Sequence, residues 1–221
     1  MVGGLAARLS VTVLGDFQAR LGAGPPVRLR SRKTQALLAY LALSPGQPHS
    51  RDKLAALLWG DGSQSHARSR LRESLFSLRR ALDPADPPCL VVGGETLALA
   101  ADAADVDAVG FERLAQTDDP EGLARAADLY RGDLLVGLAF RGGPFEEWLM
   151  AERERLRELA VDALARLLAH QQSAGPAEAA LRTALRLSAL DPLQEAVHRA
   201  LMRLYAQIGR RGSALRQYQL C

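Results

Sequence analysis

The spacing of apolar residues changes several times along the chain, and each change predicts an element. In LSVTVLG, residues 9–15, Leu9, Val11 and Val13 alternate with Ser10 and Thr12, the period of a half-buried strand. Gly15 and Asp16 turn the chain into FQARL, a second short strand, and VRL at 27–29 supplies a third after GAGPP. These three predict an N-terminal antiparallel β-meander. From Ser31 the period lengthens to that of a helix, with Ala36, Leu37, Tyr40 and Leu41 on one face, Ser31 as cap and SPGQP as terminator. A second helix opens at Ser50, carries Asp52 in the first turn where the helix dipole favours an acid, and turns Leu54, Leu57 and Leu58 inward before WGDGS ends it.

The third helical stretch, Ser65 to Leu82, reads SHARSRLRESLFSLRRAL and holds five arginines. On a wheel of 100° per residue Ala67, Leu71, Leu75, Leu78 and Leu82 fall within about 40° of one line, which predicts a single buried edge. Arg72, Arg80, Phe76 and Ser69 are expected opposite that edge, Arg68 and Arg79 beside it, and Arg70 on the other flank. After DPADPP comes CLVVGGETLAL, two β-prone runs around Gly93 and Gly94, which predict a hairpin closed by a two-residue turn with positive φ. Strands, two helices, a short turn, an arginine-rich helix and a hairpin spell a winged helix-turn-helix.

Beyond Asp105 the pattern is almost wholly helical, with helices expected at 106–116, 120–130 and 145–170. Ala180-Leu181-Arg182 and Ala214-Leu215-Arg216 stand 34 residues apart, the spacing of a tetratricopeptide array of paired helices. The expected fold class is therefore mainly α with a little β: a winged helix-turn-helix over 1–104, then an all-α tetratricopeptide-like domain over 105–221.

Charge sharpens this division. The net charge is +3, but residues 1–100 hold 13 Lys and Arg against 7 Asp and Glu, whereas 101–221 hold 15 against 18. The basic half is the one with the winged pattern, which points to a polyanionic partner. Cys89 and Cys221 stand far apart with no CxxC companion, and His49, His66, His170 and His198 are scattered without ligand spacing, so neither a disulfide framework nor a metal site is expected. With no phosphate loop, dinucleotide fingerprint or nucleophile elbow, no cofactor, small-molecule ligand or enzymatic activity is expected either. No apolar run reaches the roughly 18 residues of a membrane span and no secretory leader is visible, which predicts a soluble, cytoplasmic protein.

Binding DNA needs cationic groups that neutralise phosphates and a few side chains that reach base edges, where arginine bridges guanine O6 and N7. Arg72 and Arg80 are the candidates for bases; Arg68, Arg70 and Arg79 are placed for phosphates at the lips of the groove. Phe76 either touches a thymine methyl or packs on the wing or the second domain. Arg51 and Lys53, at the start of the second helix, either hold phosphates with that helix's free N–H groups or are plain surface charge. The competing function is a protein-interaction head, winged helix plus repeat scaffold, of a larger sensor.

SRKTQALLAYLAL (31–43), PHSRDKLAALLWGD (48–61) and ARSRLRESLFSLRRAL (67–82), with DVDAVGFERL, YRGDLL and FEEWLMAERERLRELAVDAL further on, resemble the SARP-type bacterial transcriptional activators. The resemblance covers nearly the whole chain. It implies an OmpR-like winged helix-turn-helix followed by a bacterial transcriptional activation domain, a recognition helix at about Ser65–Leu82 in the major groove, and a Gly93-Gly94 wing beside a minor groove. It also implies promoter DNA, binding to direct repeats, RNA polymerase and self-association on DNA as partners. The wing departs from the family pattern in carrying Glu95 and no Lys or Arg, so no strong wing contact is expected. Cys221 falls inside an expected repeat helix, which reads as a chain continuing beyond it.

Overall fold

The computed structural model describes residues 7–60, 62–138, 140 and 142–220. In chain order the elements are β1 (Leu9–Thr12), β2 (Gln18–Leu21), α1 (Arg32–Ala42), β3 (His49–Ser50), α2 (Arg51–Trp59), α3 (Gln64–Leu82), β4 (Leu90–Val92), β5 (Thr96–Leu99), β6 (Ala104–Val106), α4 (Asp107–Ala115), α5 (Pro120–Leu129), α6 (Pro144–Ala174), α7 (Ala177–Leu190), α8 (Glu195–Gln207) and α9 (Arg211–Leu220). The chain divides into two compact units, Met1–Gly110 with Tyr130–Glu154, and Phe111–Leu129 with Arg155–Cys221.

In the first unit, α1, α2 and α3 pack on one another around Leu37, Leu38, Leu41, Leu54 and Leu78, all essentially inaccessible. The serine caps hold as the sequence suggests: Ser31 accepts from the Thr34 N–H and Ser50 from the Lys53 N–H. For α3 the cap is Ser63, which accepts from the His66 N–H, so the helix begins one residue before Ser65. The buried edge of α3 contains the expected leucines and also Ser74, whose Oγ accepts from Thr34 Oγ1 at 3.1 Å and so joins α3 to α1. Leu57, expected to point inward, is only half-buried.

Two three-stranded sheets flank these helices; the first departs from the expected meander, and the second adds β3 to the expected hairpin. β1 pairs antiparallel with β2, but its other neighbour is β6, running parallel, with Leu9 opposite Ala104. VRL at 27–29 is not a strand: an isolated bridge joins Pro26 to Arg20, and the Val27 N–H donates to the Ala19 carbonyl. The second sheet has the order β3-β5-β4, with His49 opposite Leu97. Two residues of β3 are too few to show a sequence period.

The wing is the hairpin of β4 and β5, but its turn differs from the expected one. β4 ends at Val92 and β5 begins at Thr96, which leaves Gly93, Gly94 and Glu95 as the loop, with the Gly93 N–H donating to the Thr96 carbonyl at 3.0 Å. Neither Gly93 nor Gly94 has positive φ, because a longer loop does not need the left-handed pair that a two-residue turn imposes. Gly15, by contrast, has φ 104° and turns β1 as its position suggests.

Residues 130–138 complete the first unit beside β1. The Gly15 N–H donates to the Asp133 carbonyl, the Leu135 N–H to Val13 and the Val136 N–H to Gly15. Leu135, buried with φ 53°, is held there while Arg153 donates to the Leu134 and Leu135 carbonyls at 2.7 and 2.8 Å.

The second unit is helical. α7 packs on α8 and α8 on α9. Arg166 reaches the Thr117 and Ala115 carbonyls and the Asp118 carboxylate, and so holds the turn between α4 and α5. Arg186 of α7 donates to the Ala127 carbonyl of α5. The 34-residue register aligns α7 with α9, yet Leu181 is buried while its counterpart Leu215 is 66% exposed. The Gln217 amide meets His198 Nδ1, and His198 Nε2 meets the Pro192 carbonyl at 2.7 Å, which ties α9 to α8 and to the turn before it.

Candidate nucleic-acid interface

The pairing of β3 with β5 sets the tip of the wing against the first turn of α2, where the Arg51 N–H donates to the Glu95 carbonyl at 2.9 Å. α3 passes beside this junction. Together they enclose a groove of about 370 Å³ lined by Arg51, Asp52, Arg68, Leu71, Arg72, Leu75 and Glu95. Three guanidinium groups and two carboxylates therefore share one concavity.

The arginines in it are held very differently. Arg68 donates through Nε to Asp52 Oδ1 and through Nη2 to Oδ2, both at 2.7 Å, a two-bond fork. The hydrogen bond from Arg68 holds the Asp52 carboxyl below its ordinary pKa, and the same bond raises that of Arg68. Arg51 Nε is buried with no hydrogen-bond partner among the described residues. Arg72 is exposed and has no hydrogen-bond or ion-pair partner among the described residues.

The expected positions need two corrections. Arg72 was expected opposite the leucine edge, but it faces the groove shared with α2 and the wing, because it follows Arg68 by one helical turn and so shares that flank of α3. Phe76 is 71% exposed, so the wing does not cover it. Arg79 and Arg80 lie in the last turn of α3, exposed and also without partners among the described residues. Arg70 donates to Glu73 at 3.3 Å and approaches His66 at 3.4 Å. Ser69 is half-buried.

The two basic residues of α2 part company. Arg51 joins the arginine groove, whereas Lys53 lines a separate cavity of about 570 Å³ with Tyr40, His49, Thr96, Trp148 and Glu152. His49 is half-buried there; its Nε2 meets Ser44 Oγ at 2.8 Å, its ring lies edge-on to Tyr40, and burial lowers its pKa. Sequence reading missed Asp52 as a member of the site: its place in a first helical turn explained it already, and its partner lies 16 residues away.

Among the described residues no cluster of His, Cys, Asp and Glu is arranged to hold a metal ion, and no helix is long and apolar enough to cross a membrane. Cys89 is buried, which raises its thiol pKa.

A winged helix-turn-helix in front of an all-helical, tetratricopeptide-like array is the architecture of a bacterial transcription regulator. Residues 103–221, more than half the chain, match the family model described as Bacterial transcriptional activator domain, and the chain belongs to that family, whose SARP-type activators it resembles in sequence. Among solved structures, Mycobacterium tuberculosis EmbR in complex with a low affinity phosphopeptide is similar over 96% of this chain and 58% of its own, with a TM-score of 0.70 and 22% identity. That likeness is one of fold, and the chain spans well under two thirds of EmbR's length. None of the curated proteins matches the chain.

Proposed function

We propose that this transcriptional activator binds promoter DNA, with α3 in the major groove. The observation that carries the reading is the state of α3: its apolar edge is buried, while Arg72, Arg79 and Arg80 stand exposed without an intramolecular partner among the described residues. Guanidinium groups left unpaired on a helix can meet phosphates and base edges without first breaking an internal hydrogen bond. Arg72 and Arg80 are assigned to bases; Arg79, Arg70 and Lys53 to phosphates; Ser69 and Phe76 flank the contact, with Phe76 suited to a thymine methyl. The helical second unit serves self-association and contact with RNA polymerase. Since one helix reads few base pairs, binding to direct repeats supplies the remaining affinity.

Selection from a random duplex pool followed by a salt series tests this. Affinity for the selected duplex should fall log-linearly with salt. Arg72→Ala or Arg80→Ala should each cost about 1–3 kcal/mol and blur the selected sequence, while Arg79→Ala weakens all duplexes alike. Binding that ignores salt, or no enrichment of any sequence, would remove DNA as the partner.

A further inference from the structure

The fork between Asp52 and Arg68 has no evident purpose in folding. Both side chains are about half exposed, at 45% and 52%, and an ion pair that open to solvent adds little stability. It also makes Arg68 a poor phosphate ligand, since Asp52 and Glu95 both line the same groove and their charges repel a phosphate. A neutral base edge suffers no such repulsion. We propose that Asp52 is a positioning residue that fixes Arg68 as a reader of guanine, a role different from the phosphate contact its sequence position suggests; the proposal rests on the DNA-binding reading above.

The donor geometry supports it. A guanidinium has five N–H donors in a rigid plane. Asp52 occupies Nε–H and one hydrogen of Nη2. The three left over lie on the far edge, both hydrogens of Nη1 and the second of Nη2, and two of these run parallel. Two parallel donors match O6 and N7 of guanine in the major groove. With the plane held by two 2.7 Å bonds, a long and flexible side chain loses little freedom on binding. Position along the helix agrees: α3 starts at Gln64, so Arg68 stands in its N-terminal part, the end that meets base edges in helix-turn-helix proteins. Arg70, by comparison, has longer contacts to Glu73 and His66 and is not fixed in this way.

The test uses the full chain, its selected duplex, the single-base variants of that duplex and a scrambled duplex. Asp52→Asn keeps the size of the side chain and removes the charge that holds the fork. It should reduce the preference for one G·C pair by about tenfold, while affinity for the scrambled duplex stays level or rises as a negative charge leaves the groove. Arg68→Lys keeps the charge and loses the planar fork, and should flatten preference at that same base pair with the salt slope unchanged. Should Asp52→Asn melt early, Arg68→Lys decides alone. Asp52→Asn with base preference intact, or Arg68→Lys weakening every duplex equally, overturns the proposal and leaves DNA binding standing. If the unsubstituted chain binds no duplex in a salt-dependent way, the functional reading fails and this assignment with it.

Discussion

At the residue scale, Asp107 shows how one side chain closes a gap that backbone pairing leaves. Its carboxylate accepts from the Val13 and Ala108 N–H groups through Oδ1 at 2.8 Å and from the Leu14 N–H through Oδ2 at 3.0 Å. Burial raises its pKa, and the three amides oppose that only in part. An acid with a raised pKa in the folded state favours folding at pH below the ordinary carboxylate value, and that share is lost as pH rises through the raised value. Asp107→Asn keeps one acceptor oxygen but turns an amide toward the Leu14 N–H. We expect it to cost about 1–3 kcal/mol in urea denaturation, with less stability lost as pH rises through the carboxylate range, since the variant has no group there to ionise. An equally stable variant would mean that Leu14 finds another acceptor. Nothing in DVD at 105–107 reveals this, because two of the three amides it serves lie 93 and 94 residues away.

At the scale of elements, α3 was the most legible part of the chain. Its leucine edge, its arginines and the proximity of a capping serine all follow from a 3.6-residue period and local chemistry. What the wheel does not supply is the partner of a buried polar residue. Ser74 sits on the buried edge because Thr34 of α1 satisfies it, and both hydroxyls are nearly inaccessible. Thr34→Val should therefore cost about 1–3 kcal/mol by stranding the Ser74 hydroxyl, whereas Thr34→Val with Ser74→Ala should cost much less than the two single changes combined. Denaturation midpoints of the four proteins measure this. Strict additivity would show that water, not Thr34, satisfies Ser74.

At the scale of the whole molecule, the winged region depends on chain beyond it. β1 has β2 on one side and β6 on the other, and its end is paired with residues 133–136 and capped by Asp107. A fragment of residues 1–104 loses most of β6 and every one of those later partners. At about 1 kcal/mol per hydrogen bond and about 4–8 °C per kcal/mol, it should melt at least about 10 °C below a fragment of residues 1–154. Superimposable melting curves would show that β1 needs none of them.

The sequence by itself determined the helices of the winged unit, the caps Ser31 and Ser50, the hairpin and the arginine-rich character of α3, since each depends on residues within one or two turns of one another. It also carried the family resemblance. Tertiary structure alone decided that β1 takes a parallel partner in β6, that VRL stays out of the sheet, that Arg72 turns into the groove beside the wing, and that Arg68 is grasped by Asp52. Those outcomes depend on groups brought together from distant parts of the chain, and a pattern of local periods holds no information about which distant donor meets which acceptor.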